Sequence, residues 1–293
     1  MDYQAKLREL PVEHDFFIGI DSDGSVFDTM EIKQKLCFCP LFIDYFGFIE
    51  VAEQARETWE FVNLYSKTRG LNRFPALERT ISLLAGRPEV KERNIVIPDT
   101  GSLQDWIKSA SKHSNPALKQ YAGKMSDPFL DLCLEWSEAV NSKIEETIHG
   151  FPPFPFVREV LDEIHGKADI IVVSQTPVEA LEREWKEHDL ERYPGIIAGQ
   201  EYGTKKEHIK FAAGDKYNAD RILLVGDAPG DLEAAIINGI LFYPIVPGGE
   251  VDSWKNLYDE GIDRFLKGEY RGEYETGLIR EFEESLPEDP PWK

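Results

Sequence analysis

Five short stretches of this chain are apolar without alternation and end at turn-forming or polar residues. They are Phe16-Phe17-Ile18-Gly19-Ile20, DIIVVS at 169–174, RILLVG at 221–226, ILFY at 240–243 and a shorter run at 195–198. Runs of this kind predict strands buried on both faces of a parallel sheet. Helical patterning fills the intervals in the second half, at 156–165, 177–187, 206–213 and 231–238. Strands alternating with helices over short connections predict an α/β, Rossmann-like doubly wound parallel sheet.

The interval between the first strand and the others is different. From about 33 to 150 it is aromatic and helical in pattern, at 50–65, 75–84, 102–110 and 127–147, with almost no strand signal. A connection of that length is not a loop, so an inserted all-helical domain is expected. The predicted division is core at 1–32, helical cap at 33–150, and the rest of the core with a C-terminal helical extension at 151–293. Phe151-Pro152-Pro153-Phe154-Pro155 cannot be helical throughout, because the residue before each proline is pushed out of the α region. It reads as a hinge. The acidic end of the chain reads as a helix packed on the core, with a solvated face and a frayed tip.

Composition narrows the partners. The hydrophobic share of 42% supports a sizeable core, and the formal net charge is −21, from 54 acidic against 33 basic residues. Such a surface repels nucleic-acid phosphates and anionic lipid, so neither is expected as a partner. A site for an anionic substrate must then supply its own positive potential, from a cation, a lysine or a helix N-terminus. The three cysteines, Cys37, Cys39 and Cys133, make no disulfide framework and suit a reducing, cytoplasmic setting. The charged N-terminus is not a signal peptide, and no apolar run reaches the length of a membrane span.

Open α/β sheets bind ligands beyond the carboxyl ends of their strands, and those positions here carry polar groups. Asp21 and Asp23 follow the first strand, Ser174 closes the second, and Asp227 follows Val225-Gly226, with Asp231 four residues on. Lys205-Lys206 opens the helix before RILLVG. Together they form a set for phosphoryl transfer. One carboxylate can attack phosphorus while another handles the leaving group's proton. Mg²⁺ on hard oxygen ligands from Asp21 and Asp227 can neutralise the charge, and a lysine and a serine hydroxyl can cradle the phosphoryl oxygens.

The motifs DSDGSVFD (21–28), VVSQT (172–176), GTKKEHI (203–209) and VGDAPGDLEAAIINGI (225–240) occur in this order over about 220 residues. In this they resemble the haloacid dehalogenase superfamily of hydrolases. Ser22 and Ser25 stand where many relatives have an apolar residue and Thr. The resemblance implies Asp21 as nucleophile through an aspartyl-phosphate and Asp23 as general acid/base. Ser174 would bind phosphate, and Lys205, or its neighbour Lys206, would offset charge. Asp21, the Asp23 backbone carbonyl and Asp227 would hold Mg²⁺, with Asp231 binding it through water or orienting the lysine. The inserted region would be a mobile cap over the site. Its basic loop at 66–73, with Arg69 and Arg73, is a candidate for contacting the leaving group, set against a plain interhelical turn.

The expected activity is therefore Mg²⁺-dependent hydrolysis of a small phosphorylated metabolite. A sugar-phosphate mutase shares the same residues, and a non-catalytic binding protein could use the same fold. A dehalogenase needs neither Asp23 nor Asp227. The cap and the extension after Pro244 leave both a monomer and a homodimer open.

Overall fold

The computed structural model of the chain describes residues 3–293. Five parallel strands form one sheet in the order β3-β2-β1-β4-β5. They are β1 (Phe16–Ile20), β2 (Ala168–Val173), β3 (Ile196–Ala198), β4 (Ile222–Gly226) and β5 (Leu241–Pro244). β1 lies at the centre, with Ile18 opposite Ile170 of β2 and Leu223 of β4. The helices Val157–Ile164, Val178–Glu187, Lys205–Ala212 and Pro229–Asn238 connect the strands. All five sequence-read strands are present, and the sheet is the doubly wound kind.

The chain divides into two compact units. Among the described residues, the α/β unit comprises 3–30 and 149–285. Its core is built from Ile18, Ile20, Val172, Leu223, Val225 and Tyr243, with Trp185 and Trp254 fully buried. The helix Glu273–Ser285 lies against β5, where Glu275 Oε1 accepts the Phe242 N–H at 3.0 Å, so this sheet edge is covered. The proline-rich segment at 151–155 is non-helical, as expected. Phe154 N–H donates to Val26 O at 2.9 Å, and Pro153 bridges Phe27.

The helical unit comprises residues 31–148 and 286–293. It is all-helical through residue 148, and an aromatic cluster of Phe38, Phe42, Phe46, Trp59 and Trp136 occupies its centre. A π-helical turn at Gln34–Phe38 runs into the helix Cys39–Tyr45 and brings Gln34 Oε1 to the Trp59 indole N–H at 2.9 Å.

The C-terminal tip differs from the sequence reading, which placed it frayed on the core. Residues 286–293 belong to the helical unit. Leu286 and Pro290 are buried. Trp292 packs edge-on to Phe61 at 5.4 Å between centroids, and the Arg87 guanidinium lies over its ring at 4.5 Å. Pro287 O accepts the Lys67 N–H. Pro287 stops the helix, and Leu286, Pro290 and Trp292 dock the segment, which the acidic composition had hidden.

Among the described residues, no helix is long and apolar enough to cross a membrane.

Candidate active site

The carboxyl ends of β1 and β4 set the site. Asp21 prolongs the ladder by one step, its N–H donating to Val225 O at 2.9 Å. Gly24 at φ +84° then turns the chain sharply, a conformation costly for a residue with a Cβ. Across the sheet, β4 ends in Gly226, followed by Asp227. A Cβ on Gly226 would lie 2.3 Å from Asp231 Cγ, so glycine is required for Asp231 to fold back under the strand end.

Asp21, Asp227 and Asp231 offer carboxylate oxygens within 4.8 Å of one another, and all three side chains are buried. Lys205 enters from the first turn of its helix. Its Nζ sits 2.9 Å from Asp21 Oδ2 and 2.7 Å from Asp231 Oδ1. Lys206 is exposed, so the geometry selects between the adjacent lysines. Asp231 Oδ2 accepts the Ala228 N–H at 3.2 Å, so this residue caps the helix Pro229–Asn238 as well as holding the lysine. Ser25 Oγ donates to Asp227 Oδ1 at 2.7 Å.

The electrostatics follow from three buried carboxylates facing one ammonium. Burial raises the Asp21 carboxyl well above the usual range; Lys205 opposes this, and the nearby Asp231 and Asp227 add to it. Burial likewise raises Asp231 against the pull of Lys205. Burial disfavours the Lys205 charge, but Asp21, Asp231 and Asp227 outweigh it and keep its ammonium above its ordinary range. Such a site is short of positive charge. Its donors are all hard oxygens, the set that Mg²⁺ prefers, so the residues present fit a divalent cation.

Asp23 is half-buried beside this cluster and held on both sides, by Thr29 Oγ1 at 2.5 Å and Thr176 Oγ1 at 2.6 Å. Ser174 is buried at the end of β2, with its N–H on Ala198 O and its Oγ accepting the Thr176 N–H. Gln175 Nε2 reaches Gly203 O at 3.0 Å and ties the second motif to the third. Ser22 accepts the Trp185 indole N–H at 3.0 Å.

Thr29, Thr176 and Trp185 were not singled out from the sequence. The only signal was a hydroxyl at position 176, two residues after Ser174, and its partner lies 153 positions away. Arg69 and Arg73, the two arginines of the basic loop, have partners inside the helical unit. Arg69 is buried and donates to Leu64 O. Arg73 donates to Ser137 O, Ser137 Oγ and Asn141 Oδ1 and lies over Phe38, and burial lowers its guanidinium to about 10.

The architecture is the one implied by the sequence motifs, with a helical unit inserted after β1 and the four motifs gathered at the strand ends. No family model matches the chain. No curated protein matches it either. Among solved structures, it is similar to a predicted phosphoglycolate phosphatase from Haemophilus somnus (11% identity, 85% of this chain and 98% of that one, TM-score 0.49). It is also similar to a haloacid dehalogenase-like hydrolase from Streptococcus pneumoniae (13%, 82% and 90%, TM-score 0.42). A third similar structure is a defluorinating L-2-haloacid dehalogenase (15%, 80% and 82%, TM-score 0.39). Likeness of this degree carries no weight for chemistry, which rests on the site's own residues.

Proposed function

We propose that this chain is a Mg²⁺-dependent phosphomonoesterase of the haloacid dehalogenase type, acting on a small phosphorylated molecule. The observation that carries this reading is the buried Asp21–Lys205–Asp231 chain, with Asp227 beside it at the ends of two adjacent strands. Asp23 stands two residues from the nucleophile, outside that ion-paired cluster.

In this reading an Asp21 carboxylate oxygen attacks phosphorus while the bond to the leaving oxygen breaks. Asp23 delivers its proton to that oxygen. Water then attacks the aspartyl-phosphate, Asp23 takes the water's proton, and release of phosphate restores the Asp21 carboxylate. Lys205 and the Ser174 hydroxyl balance and bind the phosphoryl oxygens, and Asp231 holds Lys205 in place. Asp21, Asp227 and the Asp23 backbone carbonyl would hold Mg²⁺, which supplies Lewis-acid charge stabilisation. A dehalogenase would need only the nucleophilic carboxylate, and the Ser25–Asp227 and Thr–Asp23 bonds support the fuller set.

The test is phosphate release from a panel of small phosphate esters with Mg²⁺, for wild type and Asp21→Asn. The expected result is wild-type turnover abolished by EDTA and a loss of roughly 10³-fold or more in the variant. Sugar-phosphate isomerisation without phosphate release would instead favour a mutase. Full activity in Asp21→Asn would sink the nucleophile assignment.

A further inference from the structure

Both oxygens of the Asp23 carboxylate are taken by hydroxyl donors, Thr29 on Oδ1 and Thr176 on Oδ2. Thr176 is itself fixed. Its N–H donates to Ser174 Oγ at 3.2 Å, and its carbonyl accepts the Gln200 N–H at 3.1 Å. Pro177 follows and begins the helix Val178–Glu187. The end of β3 presses against this turn so closely that a Cβ on Gly199 would lie 2.4 Å from Thr176 O. The Thr176 side chain therefore projects from a rigid corner between the second and third strands.

A single hydrogen bond leaves a carboxyl free to pivot about it, whereas donors on both oxygens fix its plane. We propose that Thr176 is a positioning residue for leaving-group protonation, acting by orienting the Asp23 carboxyl; this rests on the phosphatase reading above. Asp21 has separate partners, Lys205 and the β4 backbone. Loss of the Thr176 hydroxyl therefore leaves nucleophilic attack in place and weakens only the delivery of the proton. The effect depends on the ester. An alkoxide leaving group needs the proton as the P–O bond breaks, but 4-nitrophenolate departs as a stable anion.

The experiment compares kcat/KM for 2-phosphoglycerol and 4-nitrophenyl phosphate in wild type, Thr176→Val and Thr176→Ser. The ratio kcat/KM reports the first irreversible step, in which the leaving group departs. For Thr176→Val the expected loss is about 10- to 100-fold on the alkyl ester and under about 3-fold on the aryl ester, with Thr176→Ser close to wild type. Equal losses on both esters, or none on the alkyl ester, would overturn the proposal. Crystal structures of wild type and Thr176→Val decide it without turnover. A displaced or multiply placed Asp23 carboxyl in the variant supports the clamp, and an unmoved one refutes it. If wild type hydrolyses neither ester, the phosphatase reading fails, while the crystallographic comparison still settles whether Thr176 orients Asp23.

Discussion

Lys205 Nζ stands between Asp21 Oδ2 and Asp231 Oδ1, at 2.9 and 2.7 Å. One ammonium thus serves the attacking carboxylate and the carboxylate that caps the next helix. Removing it strands two buried charges. Lys205→Met is expected to cost about 3 kcal/mol in chemical denaturation, the usual penalty for breaking one side of a buried pair. Lys205→Met combined with Asp231→Leu should recover part of that stability and none of the activity. Full recovery of turnover in the double variant would argue against a catalytic role for the lysine.

The raised Asp21 carboxyl has a sign that can be tested. Its folded value lies above the unfolded one, so its contribution is present in acid and is lost as pH rises through the folded value. In metal-free protein near neutral pH, Asp21→Asn should therefore raise Tm. Scanning calorimetry in EDTA checks this, and a lower Tm in the variant would contradict the strain.

The same shortage of positive charge predicts stabilisation by metal. Millimolar Mg²⁺ should raise the wild-type Tm by mass action, and Asp227→Ala should remove most of that rise. An unchanged Mg²⁺ response in Asp227→Ala would place the cation elsewhere.

His208 lies on the helix that carries Lys205 and is fully buried. Burial, with Lys205 adding to it, lowers its imidazole to about 4. Its contribution to stability is present above the unfolded value and is lost as pH falls toward the folded one. Between pH 6.5 and 5 the wild type should lose about 2 kcal/mol through this group. His208→Leu should lack that segment of the pH dependence in urea titrations, and identical slopes in both proteins would refute it.

Trp292 covers Arg87, which also pairs with Glu57 at 2.7 Å. Trp292→Ala should destabilise the helical unit by about 1–2 kcal/mol through lost packing and cation–π attraction. Hydrogen exchange in the helices Ala52–Asn63 and Arg73–Ala85 should quicken while the strands stay protected. Uniform quickening everywhere would mean that the tail does not act locally.

The strands were legible because each is buried on both faces, which leaves an unbroken apolar run such as Leu223-Leu224-Val225. The carboxylates at 21, 227 and 231 were legible from their places just past two strand ends, whereas the lysine was legible only as the pair Lys205-Lys206, until the contacts with Asp21 and Asp231 distinguished them. Other features depend on distant partners and leave no local mark. Thr176 gains meaning only from Asp23, and the residues at 34–38 gave no sign of a π turn. The tip of the chain looked like a solvated acidic end until Phe61 and Arg87 came to lie against Trp292.

That last contact joins positions 61 and 292, so the path of the chain leaves the helical unit, adds the other four strands to β1 and then returns. The helices can form early from local contacts, but their final patch of surface stays uncovered until the sheet strands have been made. During synthesis, Phe61 and Arg87 wait for more than two hundred residues. The helical unit is the first large piece to emerge after β1 and the last to be finished.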